Sequence, residues 1–218
     1  MSIDATHLAT RLTQAISAHS AATGNPMSWL WAPLLRSLAR GRPVAVEDLA
    51  QATGRSPAEV RDGLAGLADT EYDDLGRVVG HGITLRPTPH QFTVDGQRLY
   101  TWCALDTLIF PTVLGQAATV ASPTPGTGEL VRLAVDPAAG VTELDPATAV
   151  VSVLIPETSC QGCGRRSATR CTSSPPPKPP RTGSPSILAA PFRQWPDEAF
   201  DPGRRLAQDL PGDHPAHS

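Results

Sequence analysis

The sequence lacks several features that would assign the protein to particular classes. No apolar run approaches the roughly 20 residues of a membrane-spanning helix, and residues 1–13 contain no apolar core of a signal peptide. The net charge is −3, and Lys178 is the only lysine. Because there is no excess of positive charge, we expect no nucleic-acid and no membrane partner. These absences predict a cytoplasmic protein.

Cysteine is scarce as well, and the four cysteines are Cys103, Cys160, Cys163 and Cys171. In a reducing cytoplasm we expect thiols, metal ligands or catalytic groups rather than disulfides. Apolar residues make up 40% of the 218 positions, enough to form a core. The length fits one large domain or two small ones.

Helical signals dominate the first 80 residues. Apolar residues recur at helical spacing, and Ser28 is a candidate cap for the second helix. Ser56 is predicted to cap a later helix, with Pro57 at its first position and Glu59 three residues after the cap. Helix, short turn and helix, followed by a hairpin, predict a winged-helix-like domain over residues 1–80. The predicted helices span residues 4–20, 28–41, 47–53 and 57–67.

Strand signals dominate the next part of the chain. Short alternating apolar segments flank the turn dipeptide Asp95-Gly96, which favours a hairpin. The apolar stretch at 102–114 is interrupted by Pro111, so we predict a helix over residues 101–110. The pattern predicts an α+β fold, with a mixed sheet-and-helix domain over residues 81–218. Predicted strands include residues 78–79, 83–85, 92–94, 99–100, 130–135 and 149–155, with another around Val120.

A change of composition follows Cys160. Residues 161–185 are rich in proline and arginine and contain almost no large apolar residue, so we predict a disordered tract that can form neither a helix nor a central strand. Residues 197–210 return to a helical pattern. Cys160, Cys163 and Cys171 resemble part of a zinc knuckle without a fourth ligand, and the proline run also fits a ligand of SH3-like modules.

Cys103 and Asp106 carry the main chemical signal. They are three positions apart, so on a helix they would share one face. A thiolate is the ligand that soft metal ions select, and a nearby carboxyl group can deliver a proton. The alternative is a core thiol beside a capping or exposed acid, and these two residues alone leave both interpretations open.

The wider sequence favours the first interpretation. The run WCALDTLIFP at 102–111 resembles the signature of organomercurial (alkylmercury) lyases. Further similarity to that family occurs in order at residues 33–44, 70–73 and 151–156. The resemblance therefore covers approximately residues 8–159 and returns near residues 197–210.

The resemblance implies a fold and a mechanism. It implies a winged-helix-like domain packed on a sheet-and-helix catalytic domain. It implies that two cysteines and one aspartate cleave the carbon–mercury bond, with Cys103 as one mercury-binding thiolate and Asp106 as the proton donor. No organic cofactor is implied. The substrate would be an organomercurial, and the Hg(II) product would pass to a cellular thiol or a mercuric reductase.

The sequence departs from the family at the second cysteine. The family motif there resembles Phe-Cys-Asn-Gln-Val-His-Phe-Phe, which this sequence lacks. Cys160 could substitute as the second thiol. Suitable codons for residues 166–174, read one base out of phase, can encode the missing motif. We therefore hypothesise that residues 161–196 are translated out of frame.

Three functions follow from these observations. The first is an organomercurial lyase, and the second is a degenerate, catalytically impaired homologue that binds mercury through Cys103 but lacks the second thiolate. The third is a winged-helix DNA-binding regulator. Its recognition helix would offer Arg61 beside Asp62 and Glu59, which is a poor surface for phosphate contact.

Overall fold

The computed structural model describes residues 27–67, 69–124, 127–154, 172–174 and 187–191. Within these residues the helices are α1 (Met27–Leu38), α2 (Val46–Thr53), α3 (Pro57–Gly66) and α4 (Asp106–Leu114). The helices predicted at 4–20 and 197–210 lie outside the described residues. None of the helices described is long and apolar enough to cross a membrane.

Of the two predicted N-caps, Ser56 is confirmed. Ser56 accepts from the backbone N–H of Glu59, whose carboxylate accepts from the N–H of Ser56, and Pro57 begins α3. This reciprocal pair satisfies two of the amide donors that a helix start leaves open. The predicted Ser28 cap is wrong, because α1 already includes Met27 and therefore places Ser28 inside its first turn.

An antiparallel sheet follows the helices. The strands are β1 (Glu71–Tyr72), β2 (Val78–His81), β3 (Ile83–Thr84), β4 (His90–Val94), β5 (Gln97–Thr101), β6 (Ala118–Pro123), β7 (Leu130–Asp136) and β8 (Gly140–Asp145). Their spatial order is β1-β2-β3-β5-β4-β6-β7-β8. Asp95 and Gly96 both have positive φ, as the predicted hairpin between β4 and β5 requires.

Helix α4 differs from its prediction at both ends. It begins at Asp106 rather than at residue 101, because Thr101 is still paired with Ile83 and His90 in the sheet. It also continues through Pro111 to Leu114. All residues from Thr107 to Leu114 are buried, and a helix that is apolar on all sides belongs in a core. Packing therefore outweighs the hydrogen bond that Pro111 removes.

A second sheet lies near the end of the described chain. Strand β9 (Val150–Leu154) pairs with β10 (Thr172–Ser174) on one side and β11 (Ile187–Pro191) on the other. The predicted tract of disorder therefore fails at residues 172–174, which form an edge strand because β9 offers them free backbone groups. The rest of residues 161–185 lies outside the described residues.

One core joins the helices to the first sheet. Fully buried side chains come from α1 (Leu34 and Leu35), from α4 (Leu108) and from the sheet (Phe92 and Leu99). A backbone bridge between Val44 and Val78 also connects the helical region to β2. The segment between β5 and α4 is thus held between two elements that are both anchored in this core.

Candidate functional site

The site lies in the loop of residues 102–105, which joins β5 to α4. The strand ends at Thr101 and the helix begins at Asp106. The backbone N–H of Trp102 donates to the carbonyl of Gly82 at 3.0 Å. The loop is therefore tied at its first residue to the turn between β2 and β3.

Gly82 is required by its surroundings. Its φ of +79° is a left-handed conformation that side-chain-bearing residues rarely adopt. A Cβ at this position would lie 2.6 Å from Cζ of Phe110. The Phe110 ring itself is held edge-on by Trp31, at 6.2 Å between centroids, and by Phe92, at 6.4 Å. The ring cannot easily move away, so the turn that supports the site needs glycine.

Cys103 and Asp106 lie beside each other, as the sequence predicts, although not on one helical turn. Cys103 precedes α4 by three residues and is only 5% exposed. Its backbone N–H donates to Oδ2 of Asp106 at 3.1 Å, and its side chain also hydrogen-bonds to that carboxyl group. The first residue of the helix thus reaches back to the loop in the manner of a capping residue.

The electrostatics of the pair favour a protonated acid. Burial raises the pKa of Asp106 to about 7, and the side-chain and backbone hydrogen bonds from Cys103 oppose that rise. Desolvation disfavours the charged carboxylate more than these bonds stabilise it. Asp106 therefore carries a proton over much of the range below neutral pH, next to a thiol. This pair can bind a soft metal ion through sulfur and transfer a proton to a group bound there.

Two buried histidines lie near the loop. The His81 ring packs edge-on against the Trp102 ring, with 5.8 Å between the ring centroids. Nδ1 of His81 is 3.3 Å from Oγ1 of Thr70. Nδ1 of His90 is 3.0 Å from Oγ of Ser122. Burial lowers the pKa of both imidazoles to about 4, so both are neutral at pH 7. They contribute packing and hydrogen bonds without positive charge.

The structure does not describe the other candidate thiols. Cys160, the proposed substitute thiol, lies outside the described residues, as do Cys163 and Cys171. Among the residues that are described, no group of three or more His, Cys, Asp or Glu side chains could hold a metal ion. Within the described residues, Cys103 is the thiol available to bind a soft metal ion.

A separate groove of about 330 Å³ lies between α1 and α2. It is polar, and neither Cys103 nor Asp106 lines it. Its lining residues are Ser37, Arg40, Arg42, Pro43, Val44, Asp48, Gln51 and Ala52.

Sequence reasoning missed one feature of the site, the hydroxyl of Thr101. Oγ1 of Thr101 donates to the carbonyl of Cys103 at 2.9 Å, and Thr101 has no exposed surface. A threonine in a strand is ordinary by its sequence. Only the backbone path between β5 and α4 reveals the bond.

Helices with a helix-turn-helix outline, an antiparallel sheet and a thiol beside a proton-bearing carboxyl define an α+β protein with a thiol–acid site. Comparison with known families agrees with this class. A family model described as the helix-turn-helix domain of alkylmercury lyase matches residues 7–82. A second, described as alkylmercury lyase, matches residues 83–173 and so contains the whole of the site loop.

Individual relatives give the same result. An alkylmercury lyase from Streptomyces lividans is 58% identical over 157 residues, 72% of this chain and 72% of its own length. One from Bacillus cereus is 46% identical over 157 residues, 72% of this chain and 71% of its own. A crystal structure described as the mercury-bound form of MerB2 shares the fold, with a TM-score of 0.68 and 18% identity over 92% of this chain and 98% of that one. This protein belongs to the alkylmercury lyase family and is an enzyme of that family.

Proposed function

We propose that the protein cleaves the carbon–mercury bond of organomercurials by protonolysis, with Cys103 as the mercury-binding thiolate and Asp106 as the proton donor. The observation that carries this assignment is the hydrogen-bonded pair itself, in which burial raises the pKa of Asp106 to about 7. A thiol close to an acid that still holds its proton near neutral pH combines a soft ligand with a proton source.

The reaction has two steps. In the first, the Cys103 thiol loses its proton to solvent, its sulfur forms a bond to mercury, and the anion that accompanied the organomercurial leaves. In the second, the carboxylic acid of Asp106 transfers its proton to the carbon, the carbon–mercury electron pair forms the new C–H bond, and the hydrocarbon departs. Hg(II) then remains on sulfur, and Asp106 is left as a carboxylate to be reprotonated by water.

A second thiolate would accelerate the second step, because another soft ligand on mercury weakens the carbon–mercury bond. Cys160 is the candidate within this sequence. If residues 161–196 are translated out of frame, however, the natural second thiol is missing and the present chain is a slow enzyme that holds mercury through Cys103. We expect little turnover from the chain as written and full turnover once the Phe-Cys-Asn-Gln motif is restored.

Benzene release from phenylmercuric acetate tests the assignment. Cys103→Ser should release no benzene, and peptide mass spectrometry should find no phenylmercury at position 103, although Cys160, Cys163 and Cys171 can still bind it. Asp106→Asn should still capture phenylmercury but release benzene about 100-fold more slowly, because general acid catalysis is lost. Cys163→Ser and Cys171→Ser are the matched controls and should behave like the parent chain. Unchanged release from Cys103→Ser would remove this thiol from the mechanism.

Two further variants separate the active from the impaired enzyme. Cys160→Ser should slow release only if Cys160 serves as the second thiol. The motif-restored chain should exceed the present chain in rate, and equal rates in the two would show that the second thiol of the motif is not needed. Sequencing the gene tests the frame hypothesis itself, since the DNA must be able to encode the motif in the alternative phase.

The location and partners of the protein complete the proposal. We propose a cytoplasmic enzyme without an organic cofactor, which passes Hg(II) to a cellular thiol or a mercuric reductase. The surface of the helical region offers little for DNA binding by a regulator. Arg61 pairs with Glu47 at 3.5 Å and Arg55 pairs with Glu59 at 3.2 Å, so both arginines lie beside carboxylates that repel phosphate. A gel shift with duplex DNA at low salt should show no complex.

A further inference from the structure

The loop that carries Cys103 is held by bonds from side chains to the main chain. The hydroxyl of Thr101 donates to the Cys103 carbonyl at 2.9 Å, while the Cys103 N–H donates to Oδ2 of Asp106 at 3.1 Å. One bond comes from the last residue of a strand and the other from the first residue of a helix. Both peptide groups that flank the Cys103 side chain are therefore fixed from opposite directions.

Thr101 is itself firmly placed. It pairs with Ile83 in β3 and with His90 in β4, so it has a strand on each side. Its carbonyl accepts from Oγ1 of Thr88 at 2.6 Å, and the Thr88 hydroxyl in turn accepts from the N–H of His90 at 3.1 Å. The hydroxyl that holds Cys103 thus projects from a rigid part of the sheet.

Strand formation and packing do not explain this hydroxyl. Valine has nearly the same shape as threonine, suits a strand equally well and brings no polar atom into the core. Thr101 is completely buried, where a hydroxyl is unfavourable unless it is hydrogen-bonded. The hydroxyl must therefore serve through the hydrogen bond that it makes. That bond ends on the backbone carbonyl of Cys103, the residue that carries the candidate mercury-binding thiol.

We propose that Thr101 is a positioning residue, whose hydroxyl holds the Cys103 carbonyl so that the thiol stays beside the Asp106 carboxyl. The inference rests on the proposed function, in which those two groups react at one mercury atom. Without the hydroxyl, the buried Cys103 carbonyl loses its donor and the loop opens more often. The thiol then spends less time in the orientation that the proton transfer needs.

The test measures how often the loop opens in the folded, full-length chain. Iodoacetamide labelling of the buried Cys103 thiol is followed by mass spectrometry of its peptide at one fixed pH. Thr101→Val should label about tenfold faster than the parent, the factor expected for one lost buried hydrogen bond. Thr101→Ser keeps the hydroxyl and should restore the parent rate to within about twofold.

Thr112→Val is the matched control. Thr112 is also a buried threonine, on α4, but its Oγ1 has no hydrogen-bond partner in the structure as described. The same chemical change there should leave the labelling of Cys103 within about twofold of the parent. Labelling of Thr101→Val at the parent rate, or a Thr101→Ser chain that labels as fast as Thr101→Val, would overturn the proposal.

A urea series separates positioning from general stability. If Thr101 acts locally, labelling of Thr101→Val in low urea should depend weakly on urea, because only a few residues become exposed. A urea dependence as steep as that of global unfolding would assign Thr101 a purely structural role. If Thr101→Val does not fold, Thr88→Val removes the bond that fixes the Thr101 carbonyl and should show the same acceleration, with a parent-like rate contradicting the proposal.

No organomercurial enters this experiment, so its outcome is independent of the proposed reaction. Slow labelling of the parent and fast labelling of Thr101→Val would support the positioning role even if benzene release failed. Benzene release with unaltered labelling in Thr101→Val would support the reaction and reject the positioning role.

Discussion

Asp106 accepts hydrogen bonds from both the backbone N–H and the side chain of Cys103, at 3.1 Å for the backbone bond. The two candidate reacting groups are therefore parts of one hydrogen-bonded unit rather than neighbours by chance. Burial raises the pKa of the acid to about 7, in spite of these bonds. A substitution of either residue should therefore change the environment of the other.

The release step should depend on pH through Asp106. When the chain is first loaded with phenylmercury, the thiol has already reacted, so only the proton donor still titrates in the step that follows. With the pKa of Asp106 at about 7, the rate of benzene release in a single turnover should be constant below pH 6. It should fall about tenfold per pH unit above pH 8, because only the protonated acid is active.

The motif-restored chain can replace the parent if release from the parent is too slow to measure. Asp106→Asn serves as the control and should show a slow rate with no inflection near neutral pH. A parent rate that rises or stays level from pH 7 to 9 would exclude Asp106 as the proton donor.

Asp106 should also make folding stability depend on pH. Its pKa is raised from 3.8 to about 7 in the folded protein, so the folded state binds more protons than the unfolded state between pH 4 and 7. The free energy of unfolding therefore falls as the pH rises through this window, by roughly 4 kcal/mol at most for such a shift. Asp106→Asn, which does not titrate, should lose this decline when urea unfolding is measured from pH 4 to 8.

His81 and His90 change the free energy of unfolding with pH in the opposite direction from Asp106. Because the pKa of His81 and that of His90 are lowered to about 4, their stabilising effect is complete above pH 6.5 and is lost as the pH falls towards 4. Both are present in the parent and in Asp106→Asn, so the difference between the two proteins isolates the aspartate. A difference that does not vary with pH would contradict the raised pKa.

Gly82→Ala should destabilise the protein more than a comparable change elsewhere. The new Cβ would meet Cζ of Phe110 at 2.6 Å and would also force alanine into a φ of +79°. We expect a loss of about 2–4 kcal/mol in the free energy of unfolding, from strain and overpacking together. Urea unfolding monitored by tryptophan fluorescence provides the measurement.

Gly76→Ala separates these two contributions. Gly76 has nearly the same φ, +74°, but nothing lies within 4 Å of the position of its Cβ. It should lose about 1 kcal/mol, the cost of the left-handed conformation alone. Equal losses at the two glycines would show that the contact with Phe110 is not rigid.

Two threonines of α4 should respond differently to the same substitution. Oγ1 of Thr107 donates to the carbonyl of Ala104 at 2.6 Å, whereas Oγ1 of Thr112 is buried without a partner among the described residues. Thr107→Val should lower the free energy of unfolding by about 1–2 kcal/mol, because it leaves a buried carbonyl unsatisfied. Thr112→Val should be neutral or slightly stabilising. A larger loss at Thr112 than at Thr107 in urea unfolding would reverse this assignment of the two hydroxyls.

The features that the sequence predicted correctly are those encoded by short local signals. The capping residues of α3 act within four positions of each other, and the Asp95-Gly96 dipeptide determines its own turn. The closeness of Cys103 to Asp106 was also predictable, because a separation of three residues keeps the two close in either a helix or a tight loop.

The features that were missed depend on distant parts of the chain. The start of α4 was placed too early because the strand pairing of Thr101 with Ile83 and His90 competes with helix formation, and that pairing is invisible in the local pattern. Strand β8 was not predicted, since most of its side chains are exposed and it lacks an alternating apolar face. It forms because β7 provides an edge to pair with.

The topology of the two sheets has a consequence for synthesis on the ribosome. Once residue 145 has emerged, every strand of the eight-stranded sheet is present, so this part of the protein can fold while translation continues. Strand β9 must wait, because both of its partners lie later in the chain, at residues 172–174 and 187–191. An error in decoding residues 161–196 would therefore change the sequence of both strands that pair with β9, while leaving the sequence of the thiol–acid pair unchanged.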